Sequence, residues 1–255
     1  FFFVHNKAFT IINMAGEQCP LGSLPEGSKV SSLPPSIGTF PMDFLYAEMI
    51  RGIIQEVNTT IAPNDILFFL PASNVPSPHS AKDIINAAAV HGFACKYTPT
   101  CNAECNRHFQ PTILHDADDW ASFAPAQSDP QYVENGGAPD LGMWMTNLGV
   151  PPVPKTLVRV CYGRSFAVVR KQLSQQKEST WFKLIEVLKK GFAADQMYAE
   201  RAWGALLGRP IPPEIQRGLE RRTKRVLCSA DTIGHQFIVR DWQIEMAGLM
   251  LWAKQ

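Results

Sequence analysis

The residues able to do chemistry fall into four groups. His115-Asp116-Ala117-Asp118-Asp119 follows the short apolar run Thr112-Ile113-Leu114. A D-x-D at the end of a strand suits a divalent cation, Mn or Mg, because hard cations take carboxylate oxygens and can hold a diphosphate against them. The alternative is an acidic loop that is solvated or caps a helix. Glu200 has Tyr198 at i−2 and Trp203 at i+3 in a helical stretch. A carboxylate among aromatic rings can acquire a raised proton affinity and act as a general base. The alternative pairs it with Arg201 or with a neighbouring turn. Arg221, Arg222, Lys224 and Arg225 form a basic run near a helix end. It suits a phosphate, or simply complements the helix dipole. Cys95, Cys101, Cys105 and His108 sit close together, but their spacing lacks the C-x2-C hairpin of common zinc sites. With Cys19, Cys161 and Cys228 the cysteines number six, which permits disulfides without fixing their pairing. His79 and His91 have no partner at ligand spacing. No nucleophile elbow, P-loop, dinucleotide fingerprint or H-E-x-x-H occurs.

The elements that must position these groups read as alternating strands and helices. Phe1 to Val4 reads as a buried strand, and residues 13 to 42 as a long Gly-, Pro- and Ser-rich loop. Phe44, Leu45, Ile50, Ile53, Ile54 and Val57 recur at helical spacing up to the Pro63-Asn64 break. Ile66 to Leu70 is the clearest strand, short and apolar between turn residues. Ser80 is placed to cap a helix through Ile84, Ile85 and Ala88 that stops at Gly92. Phe93 to Tyr97 follows as a short strand. Residues 98 to 156 read mostly as loop, with a short helix near Leu141 to Leu148. A segment that long without periodicity is usually functional or held by a partner. Val158 to Cys161 and Phe166 to Val169 are strand segments around Gly163. Trp181, Leu184, Ile185 and Leu188 mark a helix ending at Gly191. Asp195 is placed to cap the helix that carries Glu200, closed by Gly208-Arg209-Pro210, and Pro213 opens another. The alternation predicts an α/β fold.

The 255 residues are 45% hydrophobic and carry a formal net charge of +1, so nothing points to a bulk nucleic-acid or membrane binder. No apolar run reaches the ~18 to 20 residues of a membrane helix. The near-zero charge is polarised. Residues 1–150 hold 6 Lys+Arg against 14 Asp+Glu, a net of −8, and residues 151–255 hold 18 against 9, a net of +9. That split suits a local anion site in the second half, or two halves that attract one another.

Three segments resemble an uncharacterised glycosyltransferase-like family of fungi and algae, related to the nucleotide-sugar GT-A fold. Val4-His5-Asn6-Lys7-Ala8 is similar to its Y-N-K-G after an early strand. Leu33-Pro34-Pro35-Ser36-Ile37-Gly38 with the Phe44-Leu45-Tyr46 helix is similar to its L-P-N-x-G-R-E and the helix that follows. Cys161-Tyr162-Gly163-Arg164-Ser165-Phe166-Ala167-Val168, then Tyr198-Ala199-Glu200-Arg201-Ala202-Trp203-Gly204-Ala205-Leu206-Leu207, looks like its C-x-x-x-F-A-V segment and its M-E-R-x-W-A-A-L-L helix. Order and rough spacing agree over residues 4 to 208. Where the family has G-R-E this chain has Gly38-Thr39-Phe40, and Pro71-Ala72-Ser73 after the central strand offers no acid.

The resemblance implies a GT-A-like (Rossmann-like) mixed sheet flanked by helices over residues 1–210, its first strand upstream of Phe1. Residues 211–255 would form a helical C-terminal extension packed on it. It further implies transfer of a sugar from a nucleotide sugar to a hydroxyl acceptor. Glu200 would be the base, Asn6, Lys7, Gly38, Arg201 and Trp203 the substrate contacts, and Asp116 and Asp118 the holders of a divalent metal. The alternative left open by the missing charges is an inactive relative acting as an accessory subunit, with partners on residues 98–156 and the extension. An active transferase would belong to the secretory pathway, and an accessory subunit to an organelle.

Overall fold

The computed structural model describes residues 2–5, 8–13, 29–32, 41–55, 61–70, 78–95, 113–125, 130–151, 157–161, 164–209, 225–226 and 236–238. They form strands β1 (Phe2–His5), β2 (Ala8–Asn13), β3 (Lys29–Ser32), β4 (Ile66–Phe69), β5 (Phe93–Cys95), β6 (Ile113–Asp116), β7 (Leu157–Val160), β8 (Phe166–Val169), β9 (Arg225–Val226) and β10 (Gln236–Ile238). The helices are α1 (Met42–Gln55), α2 (Pro78–His91), α3 (Ala117–Ala121), α4 (Pro130–Glu134), α5 (Leu141–Asn147), α6 (Glu178–Lys189) and α7 (Ala193–Leu207).

One sheet has the order β3-β2-β1-β4-β8-β5 and the other β7-β6-β10-β9. The expected mixture of strands and helices is present. The pairing is not that of a doubly wound fold, because every neighbouring pair is antiparallel except β2 with β3. The two strand segments flanking Gly163 belong to different sheets, β7 to the second and β8 to the first. The chain therefore changes sheet at residues 161–165.

The continuous apolar runs of β4 and β8 have a cause in the packing. Leu67 and Phe69 of β4 enter the main core with Phe166 and Val168 of β8. Phe68 and Ala167, pointing the other way, pack with Ala94 and with Ile84 and Ala88 of α2. A strand covered on both faces has no reason to alternate polar and apolar residues. α1, α6 and α7 close the main core, with Tyr46, Ile50, Trp181, Leu184, Trp203 and Leu206 all fully enclosed. Cys95 of β5 and Cys161, just after β7, form a disulfide that ties the two sheets together.

Several local expectations change. α2 begins at Pro78, so Ser80 lies within the helix instead of capping it. The helix does stop at Gly92, whose φ of 81° lies in the left-handed region that suits glycine. α7 is entered from Phe192 without a side-chain cap, and Asp195 is its third residue, buried. The described residues 113–125 and 130–148 are more structured than a loop, with β6 and three short helices. There Asp140 caps α5, its carboxylate accepting from the Met143 N–H at 2.7 Å. β2 and β3 bracket or fall within the segment read as loop from residue 13. Of the extension expected to be helical, the described residues are the strands β9 and β10. The helix opened by Pro213 lies outside the described residues.

Candidate functional site

The two best-matching motifs meet in space. Arg164 stands in the crossing between the sheets, two residues before the start of β8, with φ of 57°. For a side chain with a Cβ this left-handed backbone costs about 1 to 2 kcal/mol, so neighbouring contacts must hold it. They are visible. Its carbonyl accepts from the Tyr46 hydroxyl of α1 at 3.1 Å. Its guanidinium Nε lies 2.8 Å from Asp43 Oδ2, and Nη2 lies 4.0 Å from Glu200 Oε2. The Asp43 contact is an ion pair whose N–H is not aligned as a hydrogen bond. α1 supplies Asp43, the sheet crossing Arg164, and α7 Glu200.

Asp43 is fully buried, and its other oxygen, Oδ1, accepts from the Trp203 indole N–H at 2.8 Å. Burial pushes its pKa up to about 6, against the pull of Arg164 and the Trp203 bond, with Glu200 adding a smaller push upward. Beneath the cluster lies an aromatic floor. Phe166 is 5.3 Å from Trp203 and 4.7 Å from Phe69 between ring centres, and Tyr46 meets Phe69 and Phe166 edge-on. These rings fix the depth of Asp43 and leave the charged ends of Arg164 and Glu200 partly open, at 31% and 20% side-chain exposure.

Helix geometry separates the neighbours of Glu200. Residues two apart on a helix are ~200° apart, so Tyr198 points away from it. Tyr198 instead donates to the Ala138 carbonyl at 3.1 Å and packs on Phe123. Arg201 is buried at 6% exposure, its guanidinium 3.9 Å above the Phe123 ring. It is thus placed in packing, while the guanidinium beside Glu200 belongs to Arg164. Trp203 is fully buried and its N–H is engaged by Asp43, so it can bear on a substrate only through that carboxylate.

The other predicted residues are not brought to this cluster. Asp116 ends β6, its side chain outside the described residues, and Asp118 is an exposed residue of α3. Among the described residues no three His, Cys, Asp or Glu side chains gather as a metal-binding group. A Mg or Mn ion is commonly held by one or two carboxylates together with substrate phosphates, and with the Asp116 side chain outside the described residues no step is routed through a metal here. Asn6, Lys7 and Gly38 lie outside the described residues, as does the basic run apart from the backbone of Arg225. Cys95, once grouped with Cys101, Cys105 and His108, is paired with Cys161, which removes it as a thiolate ligand.

Sequence reasoning missed Asp43 and gave Arg164 no role. The signal for Asp43 was present. It falls on the α1 stripe with Tyr46, Ala47 and Ile50, at i+3, i+4 and i+7, which places an acid on a buried face.

No protein family, curated protein or solved structure matches this chain. Among the described residues no helix is long and apolar enough to cross a membrane.

Proposed function

We propose that the chain is a glycosyltransferase-like protein that moves a sugar from a nucleotide sugar to a hydroxyl acceptor, with Glu200 as base. The observation that carries this reading is the meeting of Arg164 and Glu200 at 4.0 Å, both partly exposed, above a buried carboxylate. A transfer of this kind needs a carboxylate to take the acceptor proton and a cation to stabilise the leaving diphosphate. Glu200 supplies the first and the Arg164 guanidinium, with donors in a fixed fork, the second. Asn6, Lys7 and Gly38 remain the proposed substrate contacts of the first half, and a divalent metal at Asp116 and Asp118 remains part of the same proposal. The finer fold assignment, a divergent GT-A-like form, rests on the resemblance, and the antiparallel β1-β4-β8-β5 order is its departure from a Rossmann-like sheet. The Cys95–Cys161 disulfide favours an oxidising compartment, in keeping with the secretory pathway.

A second reading has its own observation. Arg164 already faces two carboxylates, Asp43 and Glu200, so an incoming diphosphate meets an excess of negative charge. An inactive relative that keeps the cluster as a brace between α1, the sheet crossing and α7 would show the same contacts. Such a relative would serve as an accessory subunit in a complex.

Turnover separates the two. Nucleotide release from a panel of nucleotide sugars, with manganese and a hydroxyl acceptor, is expected for the native chain and lost in Glu200→Gln. Circular dichroism checks that the variant keeps its fold. Equal release by Glu200→Gln would remove Glu200 as the base, and no release by either protein would favour the accessory subunit.

A further inference from the structure

A second polar centre lies on the other flank of α7. Asp195 is 2% exposed, yet it lines a pocket of about 60 Å³. Tyr132 Oη and Trp144 Nε1 both donate to it, the latter at 3.0 Å, and both bonds fall on the same oxygen, Oδ1. Among the described residues Oδ2 receives no hydrogen bond, so it keeps its full acceptor capacity for a polar group at the pocket. Burial raises the pKa of Asp195 despite those two bonds and the nearby Lys190. The pocket wall is aromatic, from Tyr132, Trp144 and the partly exposed Phe192, and its rim carries the exposed Asn135 and Lys190.

The charges choose among ligand classes. One carboxylate and one ammonium sum to zero, which gives no preference to a cation or an anion. A carboxylate acceptor, ammonium and amide donors and an aromatic face together match the alternating hydroxyl and C–H surfaces of a sugar ring. The volume equals that of about four waters at ~15 Å³ each, enough for one hydroxyl-bearing edge of a ring with the rest outside. We propose that this pocket binds the edge of a neutral, hydroxyl-rich ring, of the class of a monosaccharide or the end of a glycan, with Asp195 accepting and Asn135 and Lys190 donating.

This site needs no turnover at Glu200 and does not rest on the transferase reading. The test is NMR titration of the Trp144 indole N–H with glucose, galactose, mannose, N-acetylglucosamine and their methyl glycosides, with tetramethylammonium as the competing class. A saturable shift at millimolar sugar is expected. Binding of methyl glycosides as well as free sugars would indicate a glycan end, and binding of free sugars alone a free monosaccharide. Because Asp195→Asn disturbs two buried bonds, the working variants are the exposed Asn135→Ala and Lys190→Ala, each expected to weaken binding about three- to tenfold, the loss of one hydrogen bond. Glu200→Gln should leave this binding unchanged. No saturable shift with any sugar, a shift with tetramethylammonium alone, or unchanged affinity in both rim variants would overturn the proposal.

Discussion

At the residue scale the molecule turns on Asp43. Its pKa is raised from the usual 3.8 to about 6 because burial outweighs the charge of Arg164 and the Trp203 hydrogen bond. The folded state therefore holds this proton more tightly than the unfolded chain. The resulting stabilisation is fully present below about pH 3.8 and is lost as pH rises through about 6. The shift corresponds to about 3 kcal/mol. Urea unfolding across pH 4 to 7 should show a falling contribution that Asp43→Asn flattens; an unchanged slope would mean that Asp43 titrates as it does in water. Arg164→Ala is expected to destabilise the fold at neutral pH by about 2 to 4 kcal/mol, since it strands a buried carboxylate. The partial exposure of Arg164 keeps the figure below that of a wholly buried pair. Adding Asp43→Asn to Arg164→Ala should recover part of the loss, and additive losses in the two single variants would show that the pair is not coupled.

At the element scale the loop between α4 and α5 is built around a glycine. A Cβ on Gly137 would stand 2.5 Å from the Tyr132 ring and 2.6 Å from its carbonyl oxygen. Tyr132 would have to move, and its bond to Asp195 would go with it. Gly137→Ala should therefore cost about 1 to 3 kcal/mol in chemical denaturation, as overpacking does. Gly136 has open space around it but φ of 80°, so Gly136→Ala should cost about 1 kcal/mol through the backbone alone. Equal costs at both positions would show that the Tyr132 packing is looser than described. The sequence made the helices legible where an apolar stripe carried them, as in α1 and α6, and the strands where a short run was apolar throughout, as in β4 and β8. It did not show that β7 and β8 part company at residues 161–165, because sheet partners are chosen by distant pairings that leave no local period. Asp195 reads as a cap in the sequence for a related reason. First-turn acids usually cap, and only the distant Tyr132 and Trp144 draw this one inward.

At the scale of the whole molecule, two largely antiparallel sheets meet at the main core, and among the described residues a disulfide ties them together. Cys95 and Cys161 are 66 residues apart, so their bond closes a large loop in the unfolded chain. Chain-entropy reasoning assigns such a loop about 4 kcal/mol. Reduction, or a Cys95→Ala/Cys161→Ala variant, should lower the melting temperature by several degrees, and no change would show that the bond does not form in solution. The charge polarity visible in the sequence meets the structure at the same place. Asp43 comes from the acidic half, and Arg164 and Glu200 come from the basic half. What the sequence left unread was the pairing across that divide, since Asp43 and Trp203 are 160 residues apart and no spacing rule connects them.

Arg164 and Glu200 are proposed to face a nucleotide sugar. Thermal unfolding of the native chain and of Arg164→Lys, titrated with nucleotide sugars and manganese, tests it most directly, because a ligand that binds only the folded state raises the melting temperature. A concentration-dependent rise is expected for the native chain with at least one nucleotide sugar, and a smaller rise for Arg164→Lys, which keeps the charge but loses the fork. No rise with any nucleotide sugar, or an equal rise in both proteins, would contradict it.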